Sequence, residues 1–359
     1  MKIYPLKYAA PFLIYLLALI SFFGTGVWCW LALLYAWILI PAAELFQKPD
    51  PANMETTEEE LAKENKWYDY VLYATVFFQY AALIIFLWQM KHSSYNFIDG
   101  LARVYTMGLL CGVFGINAGH ELGHRSKKYE RLIAKALLLS SLYMHFFIEH
   151  NKGHHKNVAT RDDPASARLW EPVYFFYFRS VIFSYLSAWK IAGRDAVKNG
   201  GSVFSFKNEM LQLHLTQLGF IAVIFFTCGW LVTVYYLMAA AVGIALLETV
   251  NYIEHYGLTR KEINKGKFER TMPRHSWNSD HIIGRLMLFE LSRHSDHHYL
   301  ASRKYQLLRH HDDAPQMPTG YPGMMILALV PPLWFYVMHR QMRHYNIPTE
   351  KNMLKAQGN

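Results

Sequence analysis

Six apolar runs of membrane-spanning length, starting near Ala9, Gly26, Trp67, Leu101, His214 and Gly229, constrain this chain more than any other feature. As a helix, 67–90 would be about 36 Å long, enough to cross a hydrocarbon core of roughly 30 Å with some tilt. A soluble all-α protein with very apolar cores is the alternative. It fits poorly with 53% hydrophobic and 16% aromatic residues among 359 and a mean hydropathy of +0.05. The expected fold class is therefore all-α, a polytopic membrane protein with six transmembrane helices and a cytoplasmic histidine-rich helical cap. The helices are expected at about 9–23, 26–46, 67–90, 101–120, 213–227 and 229–250, and the cap at about 121–212 and 251–359. With no internal repeat or low-complexity segment, 1–359 reads as a single membrane-embedded domain. The basic start, Met1-Lys-Ile-Tyr-Pro-Leu-Lys7, lacks a small-x-small cleavage site after its apolar run and reads as an uncleaved anchor.

Of 18 histidines, eight fall into three tight clusters: His120-Glu-Leu-Gly-His124, His150-Asn-Lys-Gly-His154-His155 and His294-Ser-Asp-His297-His298. A ninth ends Asn251-Tyr-Ile-Glu-His255. Imidazole is the commonest metal ligand at neutral pH. A single zinc centre uses three or four protein ligands, so eight or nine point to two metals in an all-nitrogen site. The spacings i, i+4; i, i+4, i+5; and i, i+3, i+4 each place rings on one helix face. His92, His145, His214, His339 and His344 read as ordinary histidines. His275, His281, His310 and His311 lie near the clusters in sequence but are not expected to be ligands.

Residues that share a metal must lie on one side of the membrane, so an even number of spans must separate the clusters. Two spans separate His155 from His255, and none separates His255 from His294. The difficult stretch is 132–148, which hydropathy alone would accept as a seventh helix. If it crossed, the first two clusters would face opposite compartments. It is therefore expected to pack against the bundle or lie at the interface, and its Lys135, Ser140, Ser141 and His145 also argue against lipid burial. The run 324–338, broken by Pro331-Pro332, reads as a membrane-dipping segment. Lys and Arg concentrate in 125–207 and 260–309 and are nearly absent from the loops placed outside. Positive-inside bias then puts both termini and every clustered histidine in the cytoplasm. The net charge of +9 is read as topology, with no nucleic-acid partner expected.

The three cysteines, Cys29, Cys111 and Cys228, form no Cys-x-x-Cys pair, so any iron–sulfur or rubredoxin-type centre must sit on another polypeptide. His120-Glu-Leu-Gly-His124 also satisfies the zinc-peptidase pattern, in which Glu121 would be the general base. Such an enzyme needs one further ligand and has no use for six more clustered histidines. A metal transporter is a further alternative, but its ligands should lie near mid-membrane. Nine neutral imidazoles leave the metal charge uncompensated, so nearby carboxylates are expected to orient the rings. The candidates are Glu121, Glu149, Glu254 and Asp296, each next to a histidine, with Asp162 and Asp163. At least three of the six are expected to accept from ligand N–H groups.

At these residues the sequence resembles the integral-membrane alkane 1-monooxygenases of the membrane desaturase and hydroxylase di-iron superfamily. The matching strings are His120-Glu-Leu-Gly-His124-Arg125; Glu149-His-Asn-Lys-Gly-His-His155 with Val158-Ala-Thr and Asp163-Pro-Ala-Ser166; Asn251-Tyr-Ile-Glu-His-Tyr-Gly-Leu258; and Arg293-His-Ser-Asp-His-His298. Tyr305-Gln and Gly320-Tyr-Pro-Gly follow, and the match covers roughly 101–332. The Asn251 string favours alkane hydroxylases over xylene monooxygenases and fatty-acyl desaturases. Ser292 departs from the expected Gln, and Arg161 is a smaller departure in a loop.

The resemblance implies O₂-dependent terminal hydroxylation of medium- or long-chain n-alkanes in a bacterial inner membrane. It implies two iron ions held by His120, His124, His150, His154, His155, His255, His294, His297 and His298. Asn251 would be a candidate to hold a water at the metal. Electrons would come from a separate rubredoxin, reduced by an NADH-dependent reductase. A fatty-acyl desaturase, or another hydroxylase of the superfamily, is the runner-up. An alkane offers no polar handle, so selection of its end requires a narrow apolar channel, reached from lipid between the helices. Trp37, in the second apolar run, is a candidate to close that channel. Basic residues including Lys127, Lys128, Arg131 and Lys135 suit an acidic electron donor.

Overall fold

The computed structural model describes residues 4–348, which are helical apart from loops and one small hairpin. Six helices are long and apolar enough to span a membrane: Pro5–Phe23, Gly26–Leu45, Trp67–His92, Phe97–Gly123, Glu209–Cys228 and Trp230–His255. The spans expected from sequence match these to within about a turn at most ends. Two run on further than expected. The fourth continues to Gly123 and carries His120, and the sixth continues through Asn251 to His255. These site residues therefore sit on rigid ends of spanning helices.

The helices are turned by glycine where the chain has least room. Gly229, at φ +88°, alone separates the fifth and sixth spans. Its N–H closes the fifth span on Phe225 O at 2.9 Å, and its carbonyl accepts from the Thr233 hydroxyl of the sixth. An L side chain would be strained at that φ. The fourth and sixth spans approach closely across Gly108, where a Cβ would lie 3.0 Å from Ala239 O. Small residues allow such backbone approach in membrane helices.

The stretch 132–148 does not span. Helix Lys128–Ser140 is about 20 Å long, too short to cross. It ends at Ser141–Leu142, with Leu142 at φ +52°, and a turn leads into the short helix Phe146–Glu149. Ala134, Leu137 and Leu138 bury its inner face.

Three features were not visible in the sequence pattern. Helix Val173–Lys198 packs a narrow stripe of Phe176, Ser180, Ser184, Ala188, Ala192 and Ala196, while Phe175 and Phe178 remain exposed. A hairpin pairs Glu262–Asn264 with Lys267–Phe268 around Gly266. Third, Pro331-Pro332 start a new helix, Pro331–His344, after Tyr321–Ala328 ends. Leu329, Val330 and Leu333 are exposed at that corner. Proline is tolerated there because the first helical N–H groups need no intrahelical partner.

Candidate metal centre

Nine histidines converge in two adjoining groups. His120, His124, His150, His155 and His297 form one; His154, His255, His294 and His298 form the other. Within each, the ligand atoms lie within 4.8 Å of one another. The chain partitions them by helix geometry. His120 and His124, i and i+4 at the end of the fourth span, face the same group, as do His294 and His298 in helix His294–Tyr299. His297 faces the other way.

The middle cluster divides differently from its expected single face. His150–His154 forms a π-turn, whose hydrogen bonds run i to i+5. His150 and His155, five apart, therefore meet with Nε2 atoms 2.9 Å apart, while His154 turns to His298 at 3.2 Å.

The donor set fits metal ions. His297 Nε2 lies 3.0 Å from His120 Nε2 and 3.1 Å from His155 Nε2. In the other group, His298 and His294 Nε2 atoms are 2.8 Å apart, and those of His294 and His255 3.3 Å. A neutral imidazole has one N–H and one lone pair, so these chains of ring nitrogens cannot all be hydrogen bonds. His124 Nε2 is buried with no hydrogen-bond partner among the described residues. Nitrogens bound at about 2.0–2.1 Å to one ion would stand about 3 Å apart, the separation seen here.

Protonation favours ligation. Burial, reinforced by neighbouring rings, holds His124, His150, His155, His294 and His298 well below the usual histidine range. Burial and the His154 charge push His297 down to about 3. His154 departs from this pattern. Burial lowers it, but the Asp163 carboxylate outweighs burial and raises it. Asp163 Oδ2 lies 2.9 Å from His154 Nδ1 and is itself held by the Ser166 hydroxyl. The Ala165 N–H donates to its other oxygen. Its partner ring thus keeps Nε2 free for a metal.

The other five carboxylates are placed differently from expectation. Glu254 Oε2 lies 3.1 Å from His294 Nε2, on the metal-facing side of the four-histidine group. Glu149 is buried beneath the π-turn with one oxygen unpartnered, and burial, with Asp163 nearby, pushes its carboxyl up to about 8. Glu121 pairs with Arg125 at 2.7 Å and accepts from the Tyr305 N–H. Asp296 binds Arg303, His311 and the Arg309 N–H. Asp162 is exposed. Only Asp163 therefore meets a ligand N–H as expected. Adjacency in sequence to a helical histidine turns a side chain about 100° away from it, which explains Glu121 and Asp296. Glu121, tied to Arg125, is not free to act as the peptidase base. His275, His281, His310 and His311 lie outside both groups and bind Glu269, Ser279, Asp280 and Asp296. Asn251 Nδ2 donates to Glu248 at 3.4 Å.

An apolar cavity of about 70 Å³ lies within the helical bundle. Trp37, Ile40, Leu109 and Val113 line it, and so do Asn117, Val250 and Leu291, which precede histidines of both groups. Trp37 lies in a π-turn, Tyr35–Leu39, and Val113 in another, Cys111–Ile116. Asn117 is a polar lining residue that the sequence did not single out. Its only sequence signal is its position three residues before His120 in an apolar helix.

Comparison with known proteins agrees with this arrangement. The fatty acid desaturase family profile matches residues 100–328. Alkane 1-monooxygenase 1 of Alcanivorax borkumensis is 38% identical over 319 residues, covering 89% of this chain and 78% of its own length. Alkane 1-monooxygenase 2 of Pseudomonas aeruginosa is 36% identical over 334 residues, covering 92% and 89%. The xylene/toluene monooxygenase hydroxylase component of Pseudomonas putida is only 23% identical over 349 residues, covering 94% and 90%. With nine histidines in two metal-sized groups and these relatives over most of its length, the chain belongs to the alkane 1-monooxygenases within the fatty acid desaturase family.

Proposed function

We propose that this multi-pass membrane protein hydroxylates the terminal carbon of medium- or long-chain n-alkanes. One alkane, one O₂, two electrons and two protons give one 1-alkanol and one water. The observation that carries this reading is an apolar cavity whose lining reaches, in sequence, to within two turns of histidines in both groups. The nine histidines would hold two irons, and these would supply the reductive activation of O₂ needed to break a C–H bond, which no side chain can perform. The chain's own residues do the rest. Its histidines present ring nitrogens, Asp163 aims that of His154, and the cavity wall aligns the end of an alkane by shape. Trp37 bounds that cavity, and we assign it the limit on chain length.

Electrons must come from a separate protein, because the three cysteines are free and dispersed. We assign this role to a rubredoxin with its NADH-dependent reductase. A surface depression lined by His124, Arg125, Arg131, Asn151 and Lys152 brings the five-histidine group close to solvent. With Lys127 and Lys128 nearby in sequence, it forms a basic docking face for an acidic donor. The positive-inside pattern supports a cytoplasmic site in a bacterial inner membrane.

The test is expression in a host without hydroxylases, with rubredoxin and reductase supplied. Chromatography of products from alkanes of several lengths should show 1-alkanols. Alkenes in their place would favour a desaturase, and no product would reject the reading.

A further inference from the structure

We propose that Asn117 recognises the product, its amide oxygen accepting the hydroxyl hydrogen of the new 1-alkanol at the histidine end of the apolar cavity. The inference rests on the hydroxylase reading and adds to it a polar contact that an alkane cannot make.

Three observations carry it. Among the described residues, Asn117 is the one with an amide or hydroxyl in the cavity lining, which is otherwise aliphatic apart from Trp37, the sulfurs of two methionines and a proline. Its orientation is fixed. Nδ2 donates to Leu288 O at 2.9 Å, and the side chain is almost fully buried. Because the Leu288 carbonyl can only accept, the amide nitrogen must face it, leaving Oδ1 as the free atom. Among the described residues no donor reaches that oxygen. Finally, Asn117 stands three residues before His120 and seven before His124, on the helix face that both rings share. It therefore marks the histidine end of the cavity. Leu288, whose carbonyl holds it, lines the same cavity and leads within six residues to His294.

The consequence is a chemical asymmetry between substrate and product. A hydrocarbon leaves the Asn117 oxygen unpaired, because it has no donor. A 1-alkanol whose hydroxyl has just formed at the histidine end supplies one. The product is then held in the cavity more tightly than the alkane it came from, and it competes with the next substrate.

The test is inhibition of alkane hydroxylation in the iron-loaded full chain. The inhibitors are the 1-alkanol and the 1-fluoroalkane of the best-used chain length. Fluorine is similar in size to hydroxyl and donates no hydrogen bond. In Asn117→Leu and Asn117→Ala, alkanol inhibition should weaken about fivefold relative to wild type, equivalent to about 1 kcal/mol for one neutral hydrogen bond. Fluoroalkane inhibition should stay unchanged. A merely structural Asn117 would shift both inhibitors together, and that result overturns the proposal. Unchanged alkanol inhibition in the variant that retains two irons also overturns it. Absence of any 1-alkanol from the wild type overturns the hydroxylase reading, and this inference with it.

Discussion

His154 Nδ1 lies 2.9 Å from Asp163 Oδ2, so a carboxylate nine residues away fixes which nitrogen of that ring faces the four-histidine group. Such partners of metal-binding histidines typically contribute about 10–100-fold in metal affinity. Asp163→Asn should therefore lose iron from the four-histidine group first. Iron measured per chain should fall from about two towards one during mild chelation, while wild type holds both. Equal retention by the two proteins would remove Asp163 from this role.

Acid should destabilise the metal-free protein. His297 is held at about 3 in the fold by burial and the His154 charge, against about 6.5 in an unfolded chain. Between those values the unfolded state binds the extra proton, so stability falls as pH drops below the unfolded value. His124, His150, His155, His294 and His298 shift in the same direction. The melting temperature of chelated protein in detergent should drop between about pH 7 and pH 5, and His297→Leu should flatten that drop. A melting temperature independent of pH would count against buried neutral rings.

Trp37 is half-buried in its π-turn and borders the apolar cavity. Trp37→Ser removes the indole and should lengthen the accepted alkanes by several carbons. The measurement is the product distribution from a mixture of chain lengths. An unchanged distribution would reject Trp37 as the limit.

The basic face around His124 should make electron delivery sensitive to salt. Turnover with the cognate donor should fall as ionic strength rises, because surface charges more than about 10 Å apart are screened at 0.1 M salt. Charge reversal at Lys127, Lys128 and Arg131 should lower donor-dependent turnover and weaken the salt dependence. Reduction of the irons by dithionite should be unaffected. Salt-independent transfer would place the docking face elsewhere.

The spans and the histidines were legible because each rests on a strong local signal. Apolar length gave the six helices, and ring spacing marked the nine histidines that meet in two groups. The division of His150, His154 and His155 was not legible, because it depends on a π-turn that the spacing does not announce. Helix Val173–Lys198 was hidden by a stripe of small buried residues beside charged ones such as Arg179 and Lys190. Carboxylate roles failed where sequence adjacency stood in for direction. Asp296 points to Arg303 and His311, whereas Asp163 reaches its ring from a loop. Asn117 escaped notice because its meaning comes from Leu288 and the cavity, both distant in sequence.

Two irons in separate histidine groups, one of five rings and one of four, are what this chain is expected to hold. Anomalous scattering or cryo-electron density of the iron-loaded protein, with metal identified by emission spectroscopy, tests it most directly. One iron is expected among His120, His124, His150, His155 and His297, and a second among His154, His255, His294 and His298. A single metal, or zinc bound by His120 and His124 with the remaining rings empty, would contradict it.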